Sequence, residues 1–183
     1  SFTFAFFGDD LNTANTYTDS EWHHWAGTYD TNSRLQRLYL DGVLVTNRVA
    51  NNHYLGTGPL RIGKTPWETW PFDGEIDEVR VWNVVRTPTE IAQNYHRALT
   101  GSEPGLLAYY RFDEVSGTKA RDDSITGSEA TLYNAPTHVS SSAPLFQPIV
   151  TTLAADSVRS TTATLRGAVN PAGPYDTTAW FEY

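Results

Sequence analysis

Two strand-like runs meet at Asp41-Gly42, and that junction constrains the fold more than any other stretch of the chain. Residues 34 to 40 and 43 to 49, rich in Leu, Val and Tyr, read as strands. A two-residue Asp-Gly link takes positive φ at both positions, the turn whose twist matches an antiparallel hairpin. Residues 2 to 7, 22 to 29, 59 to 63 and 74 to 82 also read as strands, punctuated by Gly, Pro, Asn and Asp. One helix is expected after them. Thr87-Pro88-Thr89-Glu90 offers an N-cap, a proline at the first helical position and a glutamate three residues after the cap; Ile91, Tyr95 and Leu99 continue an apolar stripe that ends at Gly101. The fold class that follows is an all-β, antiparallel sandwich with one short helix.

Composition narrows the function classes. The 183 residues carry 13 basic against 21 acidic side chains, a net charge of -8, and the basic ones are scattered. Neutralising phosphates needs clustered Lys and Arg, so a nucleic-acid partner is excluded. Without a single Cys there is no disulfide, zinc-thiolate site or thiol nucleophile. No apolar run approaches the roughly 20 residues of a membrane-spanning helix, so no direct membrane insertion is expected. Residues 1 to 7 form neither a signal peptide nor a Met-led start, and a piece cut from a longer polypeptide is expected.

Beyond the helix, residues 103 to 114 resume alternation, followed by Ser116-Gly117-Thr118, Asp122-Asp123-Ser124 and a short strand near 130 to 133. Around residues 140 to 144 the composition turns to Ser, Ala and Pro, as in a linker. Residues 149 to 153, 160 to 169 and 178 to 183 then alternate as strands, with Asn170-Pro171-Ala172-Gly173-Pro174 as a turn.

The phrases Glu21-Trp22-His23-His24-Trp25-Ala26, Leu38-Tyr39-Leu40-Asp41-Gly42-Val43, Leu60-Arg61-Ile62-Gly63 and Phe72-Asp73-Gly74-Glu75-Ile76-Asp77-Glu78-Val79-Arg80-Val81-Trp82-Asn83 closely resemble the second half of a laminin-G-like, concanavalin-A-type jelly roll. Residues 103 to 133 resemble the phrase with which such domains of bacterial surface proteins open or close, so this stretch either completes the sandwich or opens a second copy. Residues 161 to 171 and 179 to 183, with Trp180 as a core aromatic, resemble the first strands of a fibronectin type III-like module. The expected organisation is a jelly roll over residues 1–140, a linker over 141–148 and a truncated second sandwich over 149–183. Both sandwiches count too few strands, and each is expected to be completed by further chain or by a neighbouring subunit.

The resemblance implies recognition before catalysis. It points to an extracellular or cell-surface bacterial module, non-catalytic, serving adhesion or a surface filament of a repeat protein. The alternative is a carbohydrate-binding module attached to a glycoside hydrolase. The implied partners are a glycan or protein ligand at the cell surface and neighbouring modules of the same kind.

Four groups of residues could carry chemistry. Laminarinase-type hydrolases of this architecture set their carboxylates along one strand, and retaining hydrolysis needs two of them roughly 5 Å apart. Period-two alternation puts Glu75, Asp77, Val79 and Val81 on one face and turns Glu78 away, so the required acid falls on Val79 or Arg80 and is missing. Asp77, half-buried on that face, calls for a cation or several donors. The resemblance implies a structural calcium there, with Asp113, Asp122 and Asp123 at the acidic positions and Asp9-Asp10 as a further pair; the other reading pairs these carboxylates with arginine or strand-end amides. His23 and His24, adjacent on a strand, point to opposite faces and cannot chelate together. Trp67 and Trp70, in a Pro-bounded loop, with His53 and Tyr54 in the loop before it, are the candidate ligand-binding residues, because exposed rings stack on sugars or anchor protein partners.

Overall fold

The structure, a computed structural model, describes residues 2–6, 8–64 and 72–145, together with the backbone of 149–156 and 164–170. The Asp-Gly signal is realised as read. β4 (Leu35–Leu40) and β5 (Val43–Val49) form an antiparallel hairpin whose turn residues Asp41 and Gly42 have φ of 48° and 80°. A Cβ at Gly42 would meet the ring of Tyr95 at 2.8 Å, so the helix that follows also demands glycine there. β3 (Trp25–Asp30) lies on the other side of β4, giving the order β3-β4-β5. Between Leu38 and Tyr39 the register slips, and Val45 becomes the extra residue of a bulge on β5.

The N-terminal run is shorter than expected. Only β1 (Thr3–Phe4) pairs, with β2 (Leu11–Asn12), because the Phe6 amide donates to Asp10 Oδ1 at 2.7 Å and Gly8, at φ 89°, turns the chain back. Residues 59 to 63 form no strand. Pro59 has no amide to donate, Gly63 sits at φ 79°, and Leu60 stays exposed. β6 begins at Val79 and ends at Trp82, five residues later than its expected start, because Glu78 takes φ 54° and breaks the alternation that placed residues 75 to 81 on two clean faces.

The capping box is present in full. Thr87 Oγ1 accepts from the Glu90 amide at 3.2 Å while Glu90 Oε2 accepts from the Thr87 amide at 2.7 Å, and α1 runs from Pro88 to Asn94. The helix stops before Leu99, whose amide donates instead to the Tyr109 hydroxyl. β7 (Leu106–Tyr110) then pairs antiparallel with β6, and Tyr110 bridges to Asp122. β8 (Lys119–Ala120) pairs with β9 (Ala130–Thr131), and Ala130 and Leu132 pack with Ala108, Tyr110, Ala120, Val79 and Val81 in one apolar cluster. Residues 106 to 132 therefore pack against β6.

The larger sheet covers its own core with Leu38, Gln36, Tyr39 and Leu11, all buried. Fully burying an apolar side chain of this size contributes about 1.5–3 kcal/mol. After residue 145, β10 (Ile149–Asp156) and β11 (Thr164–Asn170) form an antiparallel hairpin. Residues 171 to 183, with Trp180 and the third expected strand of that module, lie outside the described residues. Among the described residues no helix is long and apolar enough to cross a membrane.

Candidate ligand-binding site

Aromatic side chains at alternate positions of the N-terminal segment meet aromatic side chains at alternate positions of β3. Phe2 stacks on Trp25 with centroids 3.9 Å apart and planes within 2°, and Tyr17 abuts the same indole edge-on at 4.8 Å. The Phe4 ring lies over Gly27, where a Cβ would come within 3.0 Å of it. Phe6 abuts Tyr29 edge-on at 4.7 Å and Phe4 at 5.0 Å. The half-buried file then continues to the surface, since Tyr54, in the loop after β5, packs on Phe6 at 4.9 Å while 55% of it stays exposed. Its neighbour His53 is exposed as well.

The root of that loop is fixed by a buried carboxylate. Asp9 accepts from Arg48 Nη2 at 2.5 Å, from Asn51 Nδ2 at 3.2 Å and from the Asn52 amide at 2.8 Å, while its carbonyl accepts from Gln36 Nε2. Arg34 Nη1 donates to the Asn51 carbonyl at 2.6 Å. Asp9, expected as half of an acidic pair, is thus held by a guanidinium and two amides. Trp67 and Trp70 lie outside the described residues. The segment that carries them leaves and returns at one point, because the Phe72 amide donates to the Gly63 carbonyl at 2.7 Å.

A second polar system sits at the helix end of the sandwich. Glu78, which strict alternation would turn away from the apolar face, is inside: its side chain is 9% exposed and accepts from Arg80 Nη2 at 2.7 Å and from the Tyr109 hydroxyl at 2.6 Å, with Arg111 Nε at 3.5 Å. Arg80 also donates to the carbonyls of Asn94 and Arg97, satisfying the open end of α1. Burial first, then the bond to Glu78, pushes the Tyr109 phenol well above its ordinary pKa, so it stays a neutral donor. Sequence reading missed Glu78, Arg80, Tyr109 and Arg111 as one cluster.

The expected calcium carboxylates do not converge. Asp77 Oδ1 accepts from the Glu78 amide at 2.8 Å and Oδ2 from the Ser141 hydroxyl. Asp122, 5% exposed, accepts from the amides of Tyr109, Ser124 and Ser128 at 2.8–2.9 Å. Burial opposes its charge, and those amides outweigh burial and hold its carboxyl below the usual range. Asp113 pairs with Arg111 at 3.0 Å and Asp123 with Arg121 at 2.5 Å, across one polar depression that Glu114 also lines. Among the described residues no group of three or more acidic or histidine side chains is placed to hold a metal ion. Calcium takes six to eight oxygens, and these are already engaged by protein donors, so the residues described do not fit that ion.

His23 and His24 face opposite ways, as alternation requires. His23 lies between Asp41 and Asp19, whereas His24 is buried beside Tyr95 and its ring stays neutral: burial, then the charge of Arg80, lowers its pKa to about 4. Glu75 is exposed, Asp77 is held by Ser141, and Glu78 is locked between guanidinium groups. None of the three forms the facing pair that glycoside hydrolysis uses.

No curated protein matches the chain. Residues 2–92 match a laminin-G model of the concanavalin A-like lectin/glucanases superfamily. The chain is also similar to a crystal structure described as "a putative carbohydrate binding protein from Bacteroides ovatus ATCC 8483", with 28% identity and a TM-score of 0.51. That likeness covers 71% of this chain and 41% of the other, so the chain spans well under half the length of its solved relative. Among the described residues the sheets are antiparallel with one short helix, and together with the match over residues 2–92 this gives an all-β fold of the concanavalin A-like, jelly-roll type over that span.

Proposed function

We propose that the chain is a non-catalytic binding module of a larger extracellular bacterial protein and that its ligand is a glycan, taken at His53 and Tyr54 with Trp67 and Trp70 as further ligand-binding residues. The observation that carries this reading is the ring of Tyr54, more than half exposed yet seated on Phe6 and through it on Tyr29. A ring held in place before binding loses little freedom when a sugar stacks on it. The description of the solved relative as a "putative carbohydrate binding protein" points the same way. Glycan-array binding by the purified chain, lost in Trp67→Ala and Trp70→Ala, is the expected result; no binding to any glycan would end the reading.

A second reading keeps the module in a surface adhesin or filament that self-associates. The β10–β11 hairpin beyond residue 145 favours it, because it continues the chain into further sheet. Sedimentation of the chain alone separates the two: concentration-dependent assembly without glycan affinity supports the filament, and a glycan-binding monomer supports the carbohydrate module.

A further inference from the structure

His23 has a carboxylate at each ring nitrogen. Nδ1 lies 2.8 Å from Asp41 Oδ2 and Nε2 lies 3.1 Å from Asp19 Oδ1. An ionised carboxylate only accepts, and a neutral imidazole has one N–H to donate. The neutral ring can therefore satisfy one of these contacts, whereas the imidazolium satisfies both with charge-assisted bonds. The two acids belong to different elements. Asp41 is the first residue of the β4–β5 turn and also accepts the His24 amide at 2.8 Å; Asp19 belongs to the loop before β3. That loop carries Tyr17, whose ring abuts Trp25.

We propose that His23 is a charged clasp between the loop before β3 and the β4–β5 turn, closed while the imidazole carries both protons and opened when one is lost. The charged groups facing it are Asp41 from the turn and Asp19 from its own loop; Arg80 and His96 act on His24, on the other side of the strand. The hydrogen bond to Asp41 is the main cause that raises the pKa of His23; burial opposes it, and attraction to Asp41 and the contacts with Asp19 outweigh that opposition. With that pKa raised, the clasp is closed below the ordinary imidazole range and opens as pH climbs through the folded value. Opening leaves the turn intact, since Asp41 keeps its bond to the His24 amide, and frees the loop of residues 17 to 20. The clasp is thus a pH-dependent latch on one loop and is independent of glycan binding.

The test is an NMR titration of the His23 ring in the 183-residue chain, assigned by comparison with His23→Gln, combined with amide hydrogen exchange over residues 17 to 20. The expected result is a pKa above the ordinary imidazole value of about 6.5, shifted down in both Asp19→Asn and Asp41→Asn. Exchange in residues 17 to 20 should rise at that pKa beyond the increase hydroxide gives every amide, and the extra rise should be lost in Asp19→Asn. A His23 pKa at or below the ordinary value in the unaltered chain would overturn the clasp. So would exchange in that loop that tracks hydroxide alone.

Discussion

The two ends of this sandwich are held by different physics. At the helix end, Glu78, Arg80, Arg111 and Tyr109 form a buried ionic cluster, and Asp122 gathers three backbone amides beside it. At the loop end Asp9 and Arg48 fix the root of the loop, and the contacts that reach the exposed edge are between rings: Phe2 on Trp25, Phe6 on Tyr29, Tyr54 on Phe6. The ionic cluster spends most of its charge internally, Glu78 being shared by Arg80, Arg111 and the Tyr109 hydroxyl. The ring file ends in a face open to solvent. A buried charge is costly unless paired, so the first end is where removal of a single group should hurt stability; the second end is where it should hurt recognition.

The sharpest way to break that contrast is Glu78→Ala. It leaves Arg80, 8% exposed, without its carboxylate, and is expected to cost about 3–5 kcal/mol in urea unfolding. A loss below 1 kcal/mol would mean that the cluster does not hold the helix end. Asp122→Ala strands three amides and should cost about 2–3 kcal/mol by the same measurement, with Asp122→Asn recovering part of it.

Acid should weaken the sandwich through His24. Its folded pKa, lowered to about 4, lies under the ordinary value of about 6.5, so the unfolded chain binds the proton first. Its stabilising contribution is complete above about pH 6.5 and falls as pH drops from there toward 4. His23 has the opposite sign, its contribution being complete below about 6.5 and lost as pH rises through its elevated value. A pH series of unfolding midpoints should show the acid limb flattened by His24→Leu, and an unchanged acid limb would contradict the burial of that ring. The smallest effect belongs to calcium: with Asp77, Asp113, Asp122 and Asp123 already met by protein donors, millimolar calcium and chelator should give the same melting temperature.

Legibility differed along the same divide. The β4–β5 hairpin and the Thr87 capping box were written locally, in residues whose backbone preferences decide the matter within four positions. Glu78 was not legible in this way. Its φ of 54° goes with a side chain turned inward to ion-pair partners, Arg80 on β6 and Arg111 just past the end of β7. Asp77 was read as half-buried and is so, but its neighbour Glu78 is the acid whose side chain is enclosed. Asp122 looked like a cation ligand because acidic loop residues resemble each other in sequence; only the fold places the Tyr109, Ser124 and Ser128 amides around it. At the ring end, His53 and Tyr54 could be named from the loop, but the seat that Phe6 and Tyr29 give Tyr54 could not, since it joins residues 25 to 48 positions apart.

Calorimetric titration of a glycan identified on the array, into Tyr54→Ala and Tyr109→Phe at a temperature where both remain folded, tests the division of labour most directly. Tyr54→Ala should lose tenfold or more in affinity, on the order of 1–2 kcal/mol, while its stability stays within about 0.5 kcal/mol. Tyr109→Phe should be measurably less stable and bind as the unaltered chain does. Undiminished affinity in Tyr54→Ala, or affinity lost in a folded Tyr109→Phe, would contradict the account.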